Sequence, residues 1–389
     1  MRAGLAAFVL LIVGFFAKPA FAYPFMIGHG YTACAQCHVD PSGGSALTEY
    51  GRGQAEIFMR TVYGKRKADF EPGRIKDFAF GVPLPKELQL QGDFRSLIIP
   101  EPSDPRYILM QADLRAHVKA GGFHAYGSAG VVSQGADGAW ITSNTAKDGA
   151  NVVSREYWVG YDVMKGLLVR GGRLALPYGI RSEEHILFAR TATRTDTNDG
   201  QQLGLDAVYG KGKYRAELMG IAGNTQIGPD DYRERGYSAL FAYAPKNTFE
   251  VGVSSMVTHA NLDVDYQEER TRQAHGVFAR YAPIERVRFL AEANVTGSAL
   301  AADPAATGTV GYLQVDTEPT QGLHLKATGE WCDDDGADAD AATLRGTATV
   351  LWFFAPHVDM RIDAFYGTLY CTPEEAPSPM GLMQLHMFL

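Results

Sequence analysis

Apolar and polar residues alternate along most of this chain, from residue 87 to the C-terminus. In residues 110–118 the even positions are all apolar, from Met110 to Val118, and the odd positions are all polar, from Gln111 to His117. A period of two residues puts successive side chains on opposite faces of a strand. The pattern therefore predicts strands that have one apolar face and one polar face.

We predict sixteen such strands between Glu87 and the C-terminus. They lie at about 87–99, 107–119, 123–133, 155–163, 167–174, 202–209, 213–222, 237–244, 248–258, 273–282, 286–297, 309–317, 323–332, 343–354, 358–370 and 380–389.

The connections between these strands alternate between short and long. Short turns such as Gly121-Gly122 alternate with long polar segments such as 134–153 and 175–200. Short turns at one end and long loops at the other are typical of an outer-membrane β-barrel. Lipid offers no hydrogen bonds, so strands cross it only as a closed barrel. We expect an all-β fold over residues 87–389, a 16-stranded antiparallel transmembrane β-barrel. A soluble β-sandwich or propeller is the alternative.

The first 22 residues have the pattern of a secretory signal peptide. Arg2 precedes the apolar run 4–16, and Ala20-Phe21-Ala22 supplies small residues at the positions before a cleavage site. A membrane anchor is the alternative, but this run is shorter than the roughly 20 residues that a spanning helix needs. Export and a barrel together predict the outer membrane of a Gram-negative bacterium.

The charge balance excludes one class of partner. The chain has 36 basic and 44 acidic residues, a formal net charge of −8. Nucleic-acid binding needs a concentrated basic face. We therefore expect outer-membrane lipid around the barrel and no nucleic acid.

A haem-attachment motif follows the signal peptide, at Cys34-Ala35-Gln36-Cys37-His38. In Cys-x-x-Cys-His, two thiols bond covalently to one porphyrin and the histidine becomes an axial ligand of the iron. A redox Cys-x-x-Cys or half of a zinc site is the alternative, and zinc would need a second ligand pair nearby. The motif occurs once and predicts one covalently bound haem c.

The sixth iron ligand is left open between three residues. His29 lies five residues before Cys34, between two glycines that allow a sharp backbone path. Met26 and Met59 are the alternatives, and a methionine would raise the reduction potential. An open or distant site is also consistent with the sequence.

Residues 23–63 form the expected monohaem c-type cytochrome segment, which is small and α-helical. Ser45 is predicted to cap a helix that continues to about Tyr63, after a turn at 41–44. So short a segment buries little surface without its cofactor. Residues 64–86 are predicted to be a linker, long enough for the segment to plug or cap the barrel.

The two remaining cysteines, Cys332 and Cys371, lie at the long-loop ends of predicted strands. A disulfide between them is consistent with an oxidising compartment. The acidic run 333–340 beside Cys332 contains five aspartates. A solvated loop is the favoured interpretation, and binding of a hard cation is the alternative.

Residues 31–52 carry a resemblance to a known family. The Cys-x-x-Cys-His motif, together with Leu47-Thr48-x-x-Gly51-Arg52 and the barrel that follows, resembles the fused outer-membrane monohaem cytochrome–porins. The best-known members of that family oxidise extracellular ferrous iron. Two departures are the absence of a methionine beside Cys34 and the additional turn at 41–44.

The resemblance implies an electron-transfer conduit between an extracellular donor, ferrous iron above all, and a periplasmic c-type cytochrome. Such an iron:cytochrome oxidoreductase would transfer electrons without making bonds. Outward electron export to an extracellular acceptor and a diffusion porin with a tethered cytochrome are the alternatives. Five lumen residues are expected to hold the segment and the haem propionates: Arg95, Arg115, His117, Arg286 and Arg361.

Overall fold

The computed structural model describes ten stretches of the chain. They are residues 23–62, 82–100, 105–133, 150–196, 200–225, 227, 229–301, 305–336, 342–371 and 375–388. The predicted signal peptide and most of the predicted linker lie outside these residues.

The described residues contain seventeen strand segments in one antiparallel sheet. They are β1 (Leu88–Ile99), β2 (Arg106–Ala120), β3 (Phe123–Ser133), β4 (Ala150–Val153), β5 (Tyr157–Met164), β6 (Leu167–Leu174), β7 (Gln202–Lys211), β8 (Tyr214–Gly223), β9 (Arg235–Lys246), β10 (Phe249–Ala260), β11 (Arg270–Ile284), β12 (Val287–Leu300), β13 (Ala306–Thr320), β14 (Leu323–Asp333), β15 (Ala342–Ala355), β16 (Val358–Gly367) and β17 (Ser378–Phe388).

These segments make a closed barrel of sixteen strands. Strands β4 and β5 both pair with β3, at different heights, so they act as two halves of one barrel strand. Each remaining strand pairs with its neighbours in the chain, and β17 pairs with β1, where Phe388 lies opposite Asp93. The predicted strand number is confirmed, and closure excludes the β-sandwich alternative.

The barrel is polar inside and apolar outside. Asp93, Arg95 and Arg288 are fully buried and face the lumen, whereas Leu114 and Leu313 expose more than half of their surface on the outer face. A lipid environment favours this arrangement, because apolar side chains then meet hydrocarbon and charged ones meet one another. The alternation in the sequence therefore predicted the two faces correctly.

The long connection between β6 and β7 folds into the lumen. We call residues 175–196 the inward loop; it contains the short helix α2 (Phe188–Thr193). The amide of Phe188 donates to Glu330 Oε1 of the wall at 2.8 Å. Lys326 Nζ of the wall donates to Glu184 Oε1 at 3.1 Å and also bonds Glu183.

Residues 23–62, the N-terminal segment, contain three short helices. They are 3₁₀ turns at Pro24–His29 and Cys34–Gln36 and the helix α1 (Glu49–Phe58). The predicted helix bounds were wrong, because Thr48 is the N-cap and accepts from the Gly51 amide. Ser45 has a left-handed backbone (φ 54°), and its hydroxyl donates to Glu156 of the barrel instead.

Lumen residues from many strands around the barrel contact the N-terminal segment. The polar contacts come from Gln89 and Gln91 (β1), Arg115 (β2), Arg170 (β6), Arg280 (β11), Arg288 (β12), Glu318 (β13), Asp359 (β16) and His386 (β17). Most of these lie close to the short turns, as Arg288 and Asp359 do at the second position of their strands. The segment therefore occupies the lumen at its short-turn end.

Cys332 and Cys371 form the disulfide that the sequence suggested. Their Cα atoms are 5.8 Å apart, and the bond ties the outer end of β14 to the loop after β16. Cys332 belongs to a buried apolar cluster that includes Leu187, Phe188 and Ala189 of the inward loop, and Cys371 packs against this cluster. The bond therefore fixes the wall behind that loop. Among the described residues, no helix is long and apolar enough to cross a membrane.

Candidate functional site

A cavity separates the N-terminal segment from the inward loop. Its volume is about 80 Å³, and it is partly open to solvent. Its walls come from three parts of the chain. They include Met26, Cys34, Cys37, His38, Ala55 and Met59 of the segment, Pro177–Arg181 of the inward loop, and Arg215, Glu217, Leu240, Phe278, Arg280 and Phe388 of the barrel.

Both cysteines of the motif line this cavity as free thiols. The 3₁₀ turn Cys34–Gln36 brings them together, because the amides of Cys37 and His38 both donate to the Cys34 carbonyl, at 3.1 and 3.0 Å. Each cysteine is partly exposed. Burial raises the pKa of the Cys37 thiol to about 12. The motif thus presents two thiols and one imidazole to one space.

His38 is buried and held by one hydrogen bond. Its Nδ1 donates to the Gly44 carbonyl at 2.8 Å, since a carbonyl oxygen only accepts. That bond leaves Nε2 with the free lone pair, as in metal-bound histidines generally. Burial lowers the pKa of His38 to about 4, so the ring is neutral at pH 7. A neutral, oriented imidazole is the form that ligates a metal.

The three candidates for the sixth ligand position lie in two different places. Met26 and Met59 both line the cavity, whereas His29 is not part of its lining. His29 stacks on Phe58, and its ring nitrogens lie 3.4 Å from Glu285 and from Glu318 of the wall. The structure therefore brings the two methionines together with the motif and leaves His29 at the barrel wall.

The arginines expected at the cofactor differ from those at the cavity. Of the expected set, Arg115 donates to the Ser45 carbonyl, and Arg286 lies in a turn outside the strands. None of the five expected residues lines the cavity, and the guanidinium groups there belong to Arg181, Arg215 and Arg280. The alternation of apolar and polar residues shows which side chains face the lumen, but it does not show how far along the barrel axis each of them lies. Closeness to a short turn, as for Arg215, was the missing signal.

The donor set fits a covalently attached haem better than a bare metal ion. Two thiols in Cys-x-x-Cys-His, an oriented imidazole and methionines beside a largely apolar cavity supply what a c-type haem requires. In the part of the chain that the structure describes, no group of three His, Cys, Asp or Glu residues could hold a metal ion. The described end of the acidic run, 333–336, therefore offers no cation site.

Comparison with solved structures shows what the fold is similar to. OmpT, an outer membrane protein of Vibrio cholerae in its trimer form, matches with a TM-score of 0.60 and 12% identity, over 78% of this chain and 99% of that chain. The outer membrane channel DcaP of Acinetobacter baumannii matches with 0.52 and 11%, over 78% and 97%. An anion-selective porin from Comamonas acidovorans matches with 0.54 and 12%, over 77% and 98%.

No family model and no curated protein sequence matches the chain. At 11–12% identity, the structural likeness concerns the fold alone. The chain therefore has the porin-like β-barrel fold of outer-membrane proteins.

Proposed function

We propose that this chain is an electron-transfer protein of the outer membrane, with one covalently attached haem c in the lumen cavity. The observation that supports this most is that Cys34, Cys37 and His38 all face one cavity inside the barrel. Electrons would pass between an extracellular donor, ferrous iron first among them, and a periplasmic c-type cytochrome. The iron:cytochrome oxidoreductase activity implied by the family resemblance belongs to this proposal.

When bound, the haem supplies a one-electron redox centre. Cys34 and Cys37 would hold it in place, and the Gly44 carbonyl orients the His38 ring. Met26 and Met59 line the cavity, which favours one of them over His29 as the sixth ligand. Leu240, Phe278 and Phe388 keep the cavity wall apolar and limit water around the redox centre.

The position of the cavity supports the assignment of partners. The segment that carries the motif contacts wall residues near the short turns, which face the periplasm in outer-membrane barrels. A periplasmic cytochrome would therefore approach from that side. The inward loop lies between the cavity and the outer mouth, so an extracellular donor or acceptor would exchange electrons through residues such as Tyr178, whose hydroxyl bonds Asn294 at 2.9 Å.

A diffusion porin with a tethered cytochrome is the second candidate. The likeness to channels and porins favours it. A sixteen-stranded barrel has room for an aqueous channel. However, the N-terminal segment contacts both sides of the lumen, as the bonds from Arg170 to Asp40 and from Tyr23 to Asp359 illustrate. An occupied lumen supports electron transfer more than solute diffusion.

Two measurements on the purified full-length protein test these candidates. The first is a redox titration combined with the haem absorption spectrum. Covalent haem with a potential well above zero and a sulfur-to-iron charge-transfer band supports His/Met ligation and inward electron flow. A negative potential with a bis-histidine spectrum supports His29 and outward export. Absence of covalent haem overturns the proposal.

The second measurement is the ion conductance of the protein in a planar bilayer. A filled lumen predicts a conductance far below that of an open barrel of this size. A large, steady open-channel conductance would instead support the diffusion porin.

A further inference from the structure

Two arginines of the barrel wall meet at the edge of the cavity. Arg215 is the second residue of β8, and Arg280 lies near the short-turn end of β11; both line the cavity with the cysteines. Neither arginine belongs to the N-terminal segment. The cavity therefore has a cationic wall that the haem-attachment motif does not provide.

One carboxylate, that of Glu250, accepts hydrogen bonds from both arginines. Arg280 Nε donates to Glu250 Oε2 at 2.5 Å, and Arg215 Nη2 donates to Glu250 Oε1 at 3.5 Å. Arg280 Nη2 also donates to the Thr32 carbonyl at 2.8 Å, two residues before Cys34. Two guanidinium groups share a single carboxylate, and this cluster therefore carries one positive charge in excess.

One N–H donor of this arginine cluster has no hydrogen-bond acceptor. Arg215 Nε is buried and has no hydrogen-bond partner among the described residues. A buried donor without an acceptor is costly, by about 1–3 kcal/mol in general. The third cavity arginine, Arg181, already donates to the Gly43 carbonyl. Arg215 and Arg280 are thus the pair with capacity for a further anion.

A second carboxylate near Arg215 is held by another cation. Glu217, two residues further along β8, also lines the cavity, and Arg170 binds it at 3.1 Å together with Asp206 and Asp40. Because Arg170 holds Glu217, the unused donor of Arg215 is left for a further anion.

We propose that Arg215 and Arg280 bind the carboxylates of the haem, so that the barrel wall completes a cofactor site begun by the N-terminal segment. This inference rests on the proposed function. Guanidinium groups suit carboxylates because their fork of N–H donors matches two oxygens. The segment would supply covalent attachment and the iron ligand, and the barrel would supply the counter-charge.

Two substitutions that change the charge of this cluster in opposite directions test the inference. A nearby cation stabilises the electron-richer ferrous state, so Arg215→Gln is expected to lower the reduction potential. Loss of the shared carboxylate in Glu250→Gln is expected to raise it. A shift of about 59 mV corresponds to a tenfold change in a one-electron equilibrium. We expect shifts of about tenfold in each direction.

The matched control is Arg272→Gln. Arg272 is on β11 like Arg280, is buried, and pairs with Glu234 at 2.7 Å, but it does not line the cavity. The reduction potential of the Arg272→Gln variant is expected to equal that of the unmodified protein. Shifts of the same sign for Arg215→Gln and Glu250→Gln, or shifts no larger than the control, would overturn the inference.

A separate measurement distinguishes failure of this inference from failure of the proposed function. Covalent haem is measured first, from the mass of each purified variant. If the unmodified protein lacks haem, the proposed function fails and this inference fails with it. If all variants carry haem and the potentials do not move, only the role of Arg215 and Arg280 is refuted. Full haem with opposite shifts supports both.

Discussion

The barrel and the N-terminal segment are held together by different kinds of interaction. The barrel is held by long backbone ladders, such as the unbroken one that runs from Arg270 opposite Leu300 to Tyr281 opposite Phe289. The segment has one isolated bridge, between His38 and Leu47, and is otherwise fixed largely by contacts with the wall. The barrel is therefore a self-sufficient scaffold, whereas the segment depends on the barrel and, as proposed, on its cofactor.

The largest effect that would separate the two regions is loss of the proposed haem. Replacing Cys34 and Cys37 by alanine is expected to abolish covalent haem completely, because both attachment points are removed. The barrel should persist, since neither cysteine takes part in its strand pairing. Haem absorbance and mass report the first result, and circular dichroism with heat-modifiable gel mobility reports the second. Haem that is still covalently bound would contradict the assignment.

The next effect concerns the inward loop, which depends on the barrel as the segment does. Glu184 Oε1 accepts from Lys326 and Arg361, and burial opposes its charge while these cations hold its pKa at about 2. Glu184→Gln is expected to weaken docking of the loop by about 3 kcal/mol, because a buried ion network loses one partner.

The same network predicts a pH dependence. The folded pKa of Glu184 is depressed, so its contribution is complete above the unfolded value of about 4.3 and is lost as pH falls toward 2. Pepsin cleavage within the loop, measured from pH 4 to pH 2, should rise over this interval. Glu375→Gln, at an exposed position, is the matched control. Equal cleavage of Glu184→Gln and the control would refute the role of the network.

A smaller effect is expected for the barrel itself. Replacing Cys332 and Cys371 by alanine removes a cross-link that spans 39 residues. The chain-entropy relation gives a loss of about 4 kcal/mol as an upper value, and many disulfides contribute about 2. Urea unfolding of both proteins in the same detergent measures the difference. An unchanged midpoint would show that strand pairing alone fixes this wall.

The smallest expected effect concerns the helix cap of the N-terminal segment. Thr48 Oγ1 accepts from the Gly51 amide at 3.0 Å, and Thr48→Ala removes this helix cap. A cap is worth about 1 kcal/mol. Faster hydrogen exchange is expected at Gly51 and Arg52, with no change in the strands. Faster exchange throughout the barrel would contradict the independence of the barrel from the segment.

The barrel was predictable because its sequence signal is local. The strand expected at 107–119 is found at Arg106–Ala120, since every second residue must face lipid. The break between β4 and β5 had no such signal, and neither did the inward fold of residues 175–196. Both depend on partners far away in the chain, such as Lys326 for the inward loop.

The candidate site was predictable only in part, for the same reason. The spacing of Cys34, Cys37 and His38 is itself a chemical signature, and the structure brings them to one cavity. The cap at Thr48 was missed because the Ser45 hydroxyl bonds Glu156, which is 111 residues away. The cavity arginines were missed because alternation shows which face a residue occupies but not its depth.

The pairing of β17 with β1 has a consequence for the order of assembly. Phe388 closes the barrel seam opposite Asp93 and also lines the cavity, so the last strand completes both structures at once. The N-terminal segment reaches the same seam, because the Tyr23 hydroxyl contacts Asp359 of β16 and His386 of β17, each at 3.2 Å. Under the proposed function, a haem attached before this seam closes would not have to enter a finished lumen, so cofactor loading is expected to precede barrel closure.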